Sequence, residues 1–189
     1  YKNEAKSSSD PRKAGKLPSW LTNASVPSDM AVSAGTGADV ADFTGTAAAL
    51  TLAKIDAAML AAYQDGGNPT TLIMSPVNKG NFSGLSSGSV ATNQITSTAP
   101  KEASIVGSVS LYLSDFGTLN VTVDRACPDS EIYLIDPEHI CMGTLPGRDF
   151  SVQEMAPTGD STKFAITTEY TLIPTAPKAH AYVGGLNGS

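Results

Sequence analysis

Few side chains in this 189-residue sequence could do chemistry, and their spacing limits what that chemistry would be. Gly84-Leu85-Ser86-Ser87-Gly88 has the form G-x-S-x-G. That form activates a serine only where a strand leads into it and a helix leads out, so that Oγ stands exposed on a strained turn. Here Ser- and Gly-rich sequence lies on both sides. Gly35-Thr36-Gly37 opens like a dinucleotide fingerprint, but no third Gly follows at the required place and no strand precedes it. The two histidines, His139 and His180, are too few for a histidine-rich metal centre, and each falls in or beside an expected strand. Asp136 and Glu138 are spaced for acid–base work, yet Asp136-Pro137 reads first as the end of a strand. Glu169 lies within a strand-like run, where Arg148 or Lys178 is its expected cross-strand partner. Cys127 and Cys141 flank an apolar tetrapeptide. Two cysteines define neither a disulfide framework nor a zinc site, so both read as free thiols. The four Asn-X-Ser/Thr tripeptides, beginning at Asn23, Asn81, Asn120 and Asn187, are what chance gives in a chain rich in these residues. No residue is therefore assigned a catalytic, cofactor-binding or metal-binding role.

The elements that would position these residues read more clearly. Ile105, Val109, Leu111 and Leu113 alternate with Ser108, Ser110, Tyr112 and Ser114, the period of a strand with one buried face. Asp115-Phe116-Gly117 breaks the run, and alternation resumes at Leu119, Val121 and Val123, which makes a β-hairpin. Ile132 to Ile135 is a short continuous apolar strand ended by Asp136-Pro137. Upstream, Leu52, Ile55, Met59, Ala62 and Tyr63 share one helical face, so Ala47 to Asp65 is expected as a helix stopped by Gly66-Gly67. Thr70 to Ser75 follows as a strand, with one helical turn over Val77 to Phe82. Ser83 to Pro100 has no periodicity and is expected as a loop. Downstream, strands are expected over His139 to Leu145, Thr162 to Ile173 and Lys178 to Val183. Arg148 to Met155 is expected as a mixed connector and Pro157 to Asp160 as a turn. Near the start, Trp20 stands as a packing anchor before a loop of small residues, Ala24 to Gly45. Residues 1–16 read as a disordered start or as the end of a helix.

Hydrophobic residues make up 41% of the chain and charged residues 16%, a globular composition able to bury a core. No apolar run approaches the length of a membrane-spanning helix. Net charge is −6, unevenly spread: residues 1–16 carry +3 and the remainder −9. An acidic body argues against a nucleic-acid reader, because attraction to phosphate supplies most such affinity.

Several of these segments together resemble the major capsid proteins of tailed phages of the Hong Kong 97 type. The resemblance rests on Arg12, Lys13, Gly15, Leu17, Trp20, Thr22 and Asn23, then on the helix running through Asp65-Gly66-Gly67-Asn68-Pro69 into a strand. It continues in Ser114 to Thr118, in Asp124-Arg125, in Ile132 to Glu138, and in Thr158-Gly159-Asp160. Glu169 to Leu172 and Lys178-Ala179-His180 complete it. It implies an α+β fold with an axial lobe and a peripheral lobe of long antiparallel strands. The implied division is residues 1–45 as the end of a spine helix and loop, 46–135 as mainly axial lobe, and 136–189 as the return to the peripheral sheet. The implied role is structural: copies of the chain join as pentamers and hexamers into an icosahedral shell around packaged DNA, which is touched only non-specifically. Scaffold, portal or cement proteins would be further partners, with no membrane involved. Such a protein resides in the virion and is assembled in the host cytoplasm. The chain would be the later part of such a subunit, monomeric in solution. The competing expectation is a secreted or surface-displayed β-rich binding module.

Overall fold

The computed structural model describes residues 5–8, 13–39, 41–89, 110–156 and 159–188. The helices are α1 (Leu17–Trp20), α2 (Leu52–Gln64) and α3 (Pro76–Ser89). The strands are β1 (Asn23–Ser25), β2 (Thr71–Met74), β3 (Leu111–Ser114), β4 (Gly117–Val123), β5 (Ile132–Ile135), β6 (Ile140–Thr144), β7 (Ser151–Met155), β8 (Lys163–Thr167), β9 (Tyr170–Pro174) and β10 (Ala181–Val183). Six strands form one mixed sheet in the order β1-β10-β5-β2-β4-β3. β1 with β10 and β2 with β4 are parallel pairs, and the other neighbours are antiparallel. The fold is α+β.

The sheet is covered on both faces, which explains why β5 reads as an unbroken apolar run. On one side Ile55, Met59 and Ala62 of α2 and Phe82 of α3 join Leu72, Leu119, Ile132, Leu134 and Val183. On the other, Tyr133, Ile135 and Tyr182 lie under Leu21, Ala41, Val26 and Phe43 of the segment 17–45. Apart from α1 and β1 that segment is loop, closed on itself where Ala31 N–H donates to Asp42 O at 3.1 Å and Asp42 N–H to Ala31 O at 2.9 Å, and Trp20 anchors it. The indole sits so close to Gly37, at φ +72°, that a Cβ there would lie 2.6 Å from the ring. Lys6 Nζ lies 5.2 Å from the centre of the indole.

α2 begins at Leu52, later than the alanine run predicts. Residues 47–51 are held by backbone contacts instead: Ala48 N–H donates to Gly185 O at 2.9 Å and Asn187 N–H to Ala48 O at 3.3 Å. A ladder to the chain's end outweighs alanine's helix propensity. The helix ends as Gly66-Gly67 predicts. Gly66, at φ +86°, donates to Tyr63 O and Gly67 donates to Ala62 O, a Schellman closure.

Further expectations are corrected. The helical turn expected over Val77 to Phe82 is the start of a longer helix, so Ser83 to Ser89 is not loop. Pro76 opens that helix, Ser75 Oγ accepts the Asn78 N–H at 3.2 Å, and Phe82 is fully buried. Ser86 therefore lies well inside that helix and not on a strand-to-helix turn. Residues 90–100 lie outside the described residues.

The hairpin forms, but with the faces of its first strand exchanged. Leu111 and Leu113 are exposed, while Tyr112 packs toward the helices opposite fully buried Leu119. The Tyr112 hydroxyl and Ser114 Oγ both donate to Asp56 Oδ1, at 2.7 and 3.0 Å. Ile105 and Val109 lie outside the described residues.

Residues 1–16 are not helical from 5 to 8 and from 13 to 16, where Ser7 and Lys13 form an antiparallel bridge. The last strand is shorter than expected. Pro177–Ala179 is a 3-10 turn, and only Ala181–Val183 pairs in the sheet.

Candidate functional site

Between Asp136 and His180 the chain leaves the sheet as a two-stranded antiparallel ribbon. β6 pairs with β9, and further out β7 pairs with β8. The expected single strand from Thr162 to Ile173 is thus two strands, and the expected connector over 148–155 contains β7. The cause is a turn on the outgoing strand. Thr144 faces Tyr170 and Ser151 faces Thr167, so six intervening residues oppose two. The surplus is taken up by Leu145-Pro146-Gly147-Arg148, where Arg148 N–H returns to Leu145 O at 2.9 Å. Pro at its second position and Gly147 at φ +81° at its third are the type II choice. Glu169, opposite the turn, pairs with the Arg148 guanidinium, the first of its two expected partners. The backbone closes the same junction: Glu169 N–H donates to Arg148 O and Leu145 N–H to Glu169 O.

The residues of catalytic type do not converge. His180 is buried at the neck of the ribbon, and main-chain groups use both of its ring nitrogens. Asp136 N–H donates to Nδ1 at 3.1 Å, and Nε2 lies 3.3 Å from His139 O. Asp136 is occupied too. Its Oδ2 meets Asn68 N–H at 3.2 Å and His139 Nδ1 at 2.9 Å, and its Oδ1 accepts Glu138 N–H at 3.1 Å. Burial pulls this carboxyl's pKa up, but those hydrogen bonds and the His139 ring outweigh it and hold the pKa below the usual value. Glu169 belongs to the ribbon junction, with Arg148 as its partner. Cys127 and Cys141 are free, and burial pushes the Cys127 thiol up to about 12. Among the described residues no group of three or more His, Cys, Asp or Glu could hold a metal ion, and no helix is long and apolar enough to cross a membrane.

What the geometry offers instead is surface. The β7–β8 register puts Val152 beside Ile166 and Glu154 beside Phe164 on one face. Val152, Phe164 and Ile166 are 63%, 62% and 69% exposed. Met142 and Tyr170 are exposed in the β6–β9 half, as is Phe150, held at φ +48°. Most large exposed apolar residues of the described chain lie in this ribbon, which is roughly a fifth of its length. A two-stranded ribbon is marginal alone in water. Covering each such side chain is worth about 1.5–3 kcal/mol. Beside the ribbon lies an open groove of about 660 Å³, bounded by Ser7 and Lys13 on one side and Arg148, Thr168 and Thr171 on the other. Alternation along the strand expected over Thr162 to Ile173 puts Phe164 and Ile166 on one face. The sequence has no means of telling that nothing among the described residues covers that face.

A family model described as SU10 major capsid protein matches residues 1–187. Among curated proteins none matches. Among solved structures, the chain is similar to the holo-SrpI encapsulin complex from Synechococcus elongatus PCC 7942. Identity is 12% and the TM-score 0.51, over 89% of this chain and 55% of that one. The virus-like particle from Pyrococcus furiosus gives 17% identity and a TM-score of 0.36, over 73% of this chain and 54% of that one. The capsid asymmetric unit of cyanophage A-1(L) gives 13% and 0.45, over 75% and 47%. The encapsulin likeness establishes the fold, of the Hong Kong 97 kind, and this chain spans about half the length of that shell protein.

Proposed function

The chain belongs to the SU10 major capsid protein family, and from that premise we propose that its ribbon is a surface by which copies join into the shell of a phage head. The observation that carries this reading is the apolar face Val152, Phe164 and Ile166, exposed on an element with no core of its own. A face of this kind gains stability when a neighbour covers it, and repetition around symmetry axes multiplies each modest contact into a closed container. Copies of the chain are thus the principal partners, arranged in pentamers and hexamers. Scaffold, portal and cement proteins and packaged DNA are secondary ones. The particle is the site of residence, with assembly in the host cytoplasm.

The reading is structural and not enzymatic. It is supported by the engagement of His180, Asp136 and Glu169 with groups of the chain itself. The family match replaces the alternative of a secreted or surface-displayed binding module. Residues 46–135 supply most of the axial lobe and residues 136–189 the peripheral sheet, while β1 and β10 contribute to the six-stranded sheet from the flanking segments.

The test is the paired substitution Phe164→Asp and Ile166→Asp in the full-length subunit. Both side chains face solvent in the single chain, so its melting temperature should stay within the range of ordinary surface changes. Closed shells should be lost from sucrose gradients and micrographs. Shells at undiminished yield would refute the assignment of this face.

A further inference from the structure

His180 is in a position that packing alone does not require. It lies on the returning strand, and both its hydrogen bonds reach the main chain of the outgoing strand, at Asp136 and at His139. The imidazole therefore staples the two strands where they leave the sheet. Its protonation state follows from its partners. Asp136 N–H can only donate, so Nδ1 is the bare acceptor. The ring proton sits on Nε2, directed at a carbonyl that can only accept. We propose that this neck is a proton-sensitive joint: adding a proton at Nδ1 of His180 sets two N–H groups against each other, breaks the staple and frees the ribbon to change its angle to the sheet.

The surroundings fit a local release. His139 O also accepts from Thr175 N–H at 2.9 Å and Thr175 Oγ1 at 3.1 Å, so the strands stay joined one step outward when the imidazole lets go. The charged groups facing His180 are Asp136 and His139. On the neighbouring α2 end and the 177–179 turn, Asp65 and Lys178 are held at 3.9 Å from each other. Burial lowers the His180 pKa. The His139 carbonyl and the Asp136 carboxylate oppose burial, and a charged His139 would add to it. A lowered folded-state pKa means that the joint's contribution is complete above the unfolded value of 6.5. It is lost as pH falls through the folded value.

The joint is a property of the single chain. Its use in setting how the apolar face meets a neighbour rests on the proposed function, and the experiment reads the joint alone. Spin labels are placed on Gln64→Cys at the end of α2 and on Asp160→Cys toward the ribbon's far end. Cys141→Ser removes the exposed native thiol, and Cys127 is buried. The expected result is a narrow distance distribution at pH 8 that broadens at least twofold at pH 5, with a one-proton midpoint below 6.5. The ring 15N shift of His180 in the unsubstituted chain should titrate at the same midpoint, which keeps the test independent of any variant's folding. His180→Asn offers a non-titrating oxygen at the Nδ1 position and should stay narrow at pH 5. The proposal is overturned by a distribution unchanged at pH 5, by broadening that persists in His180→Asn, or by simultaneous loss of the near-ultraviolet signal of the sheet tyrosines.

Discussion

Glu131 is a carboxyl group only 3% exposed, and the Tyr133 hydroxyl donates a hydrogen bond to it. Burial raises its pKa above the usual carboxylate value, while the tyrosine bond opposes the rise. A raised value means that the folded chain holds this proton more tightly than the unfolded one. The group's penalty is therefore absent below about pH 4.5 and grows as pH rises toward the folded value. Glu131→Gln keeps an acceptor for the tyrosine and removes the ionisation. Urea unfolding at pH 7 should show a gain on the order of 1 kcal/mol, shrinking toward zero at pH 4. An equal effect at both pH values would contradict the assignment. The pattern of residue types in Ser130-Glu131-Ile132-Tyr133 carries no sign of this burial, because a carboxylate at a strand start is ordinarily solvated. Trp20 is the opposite case. A lone tryptophan among small residues is legible as an anchor, and Gly37 supplies the seat that its ring needs.

Element by element, the sequence is informative wherever one periodicity serves one buried face. α2 and its Gly66-Gly67 stop are readable for that reason, as are β2, β5 and the hairpin turn. The exchanged faces of the hairpin's first strand were not readable. Alternation tells two faces apart but does not say which of them the helices cover, and Leu111 and Leu113 look more suited to a core than Tyr112 and Ser114. The length of α3 was hidden by its Ser and Gly content, which tertiary burial of Phe82 overrides. The break in the ribbon was hidden because the surplus residues lie on the opposite strand. Close contact between elements also sets the neck. A Cβ on Gly67 would lie 2.4 Å from both Cα and O of Ala179, in the turn that leads to His180. Gly67→Ala should cost about 1–3 kcal/mol in denaturant unfolding, as other overpacking changes do. A neutral result would mean that the α2 end and the 177–179 turn do not bear on each other as described.

For the whole molecule, the resemblance carried in scattered motifs predicted the fold better than any single element did. Glu-Tyr-Thr-Leu and Lys-Ala-His mark the returning strand and the neck of the ribbon in order, while Pro157 and Thr158 of the expected turn lie outside the described residues. The candidate site was less legible, because it is an absence of cover among the described residues and not a presence of groups. The ribbon's strands have the alternation of half-buried strands, and on the proposed function the half that would complete them belongs to other surfaces. The central claim is that those surfaces are neighbouring copies. Electron microscopy of shells assembled from the full-length subunit tests it most directly. The density should show β7 and β8 of one copy lying against another, with Val152, Phe164 and Ile166 removed from solvent. A closed shell in which those three side chains still face water would contradict the account.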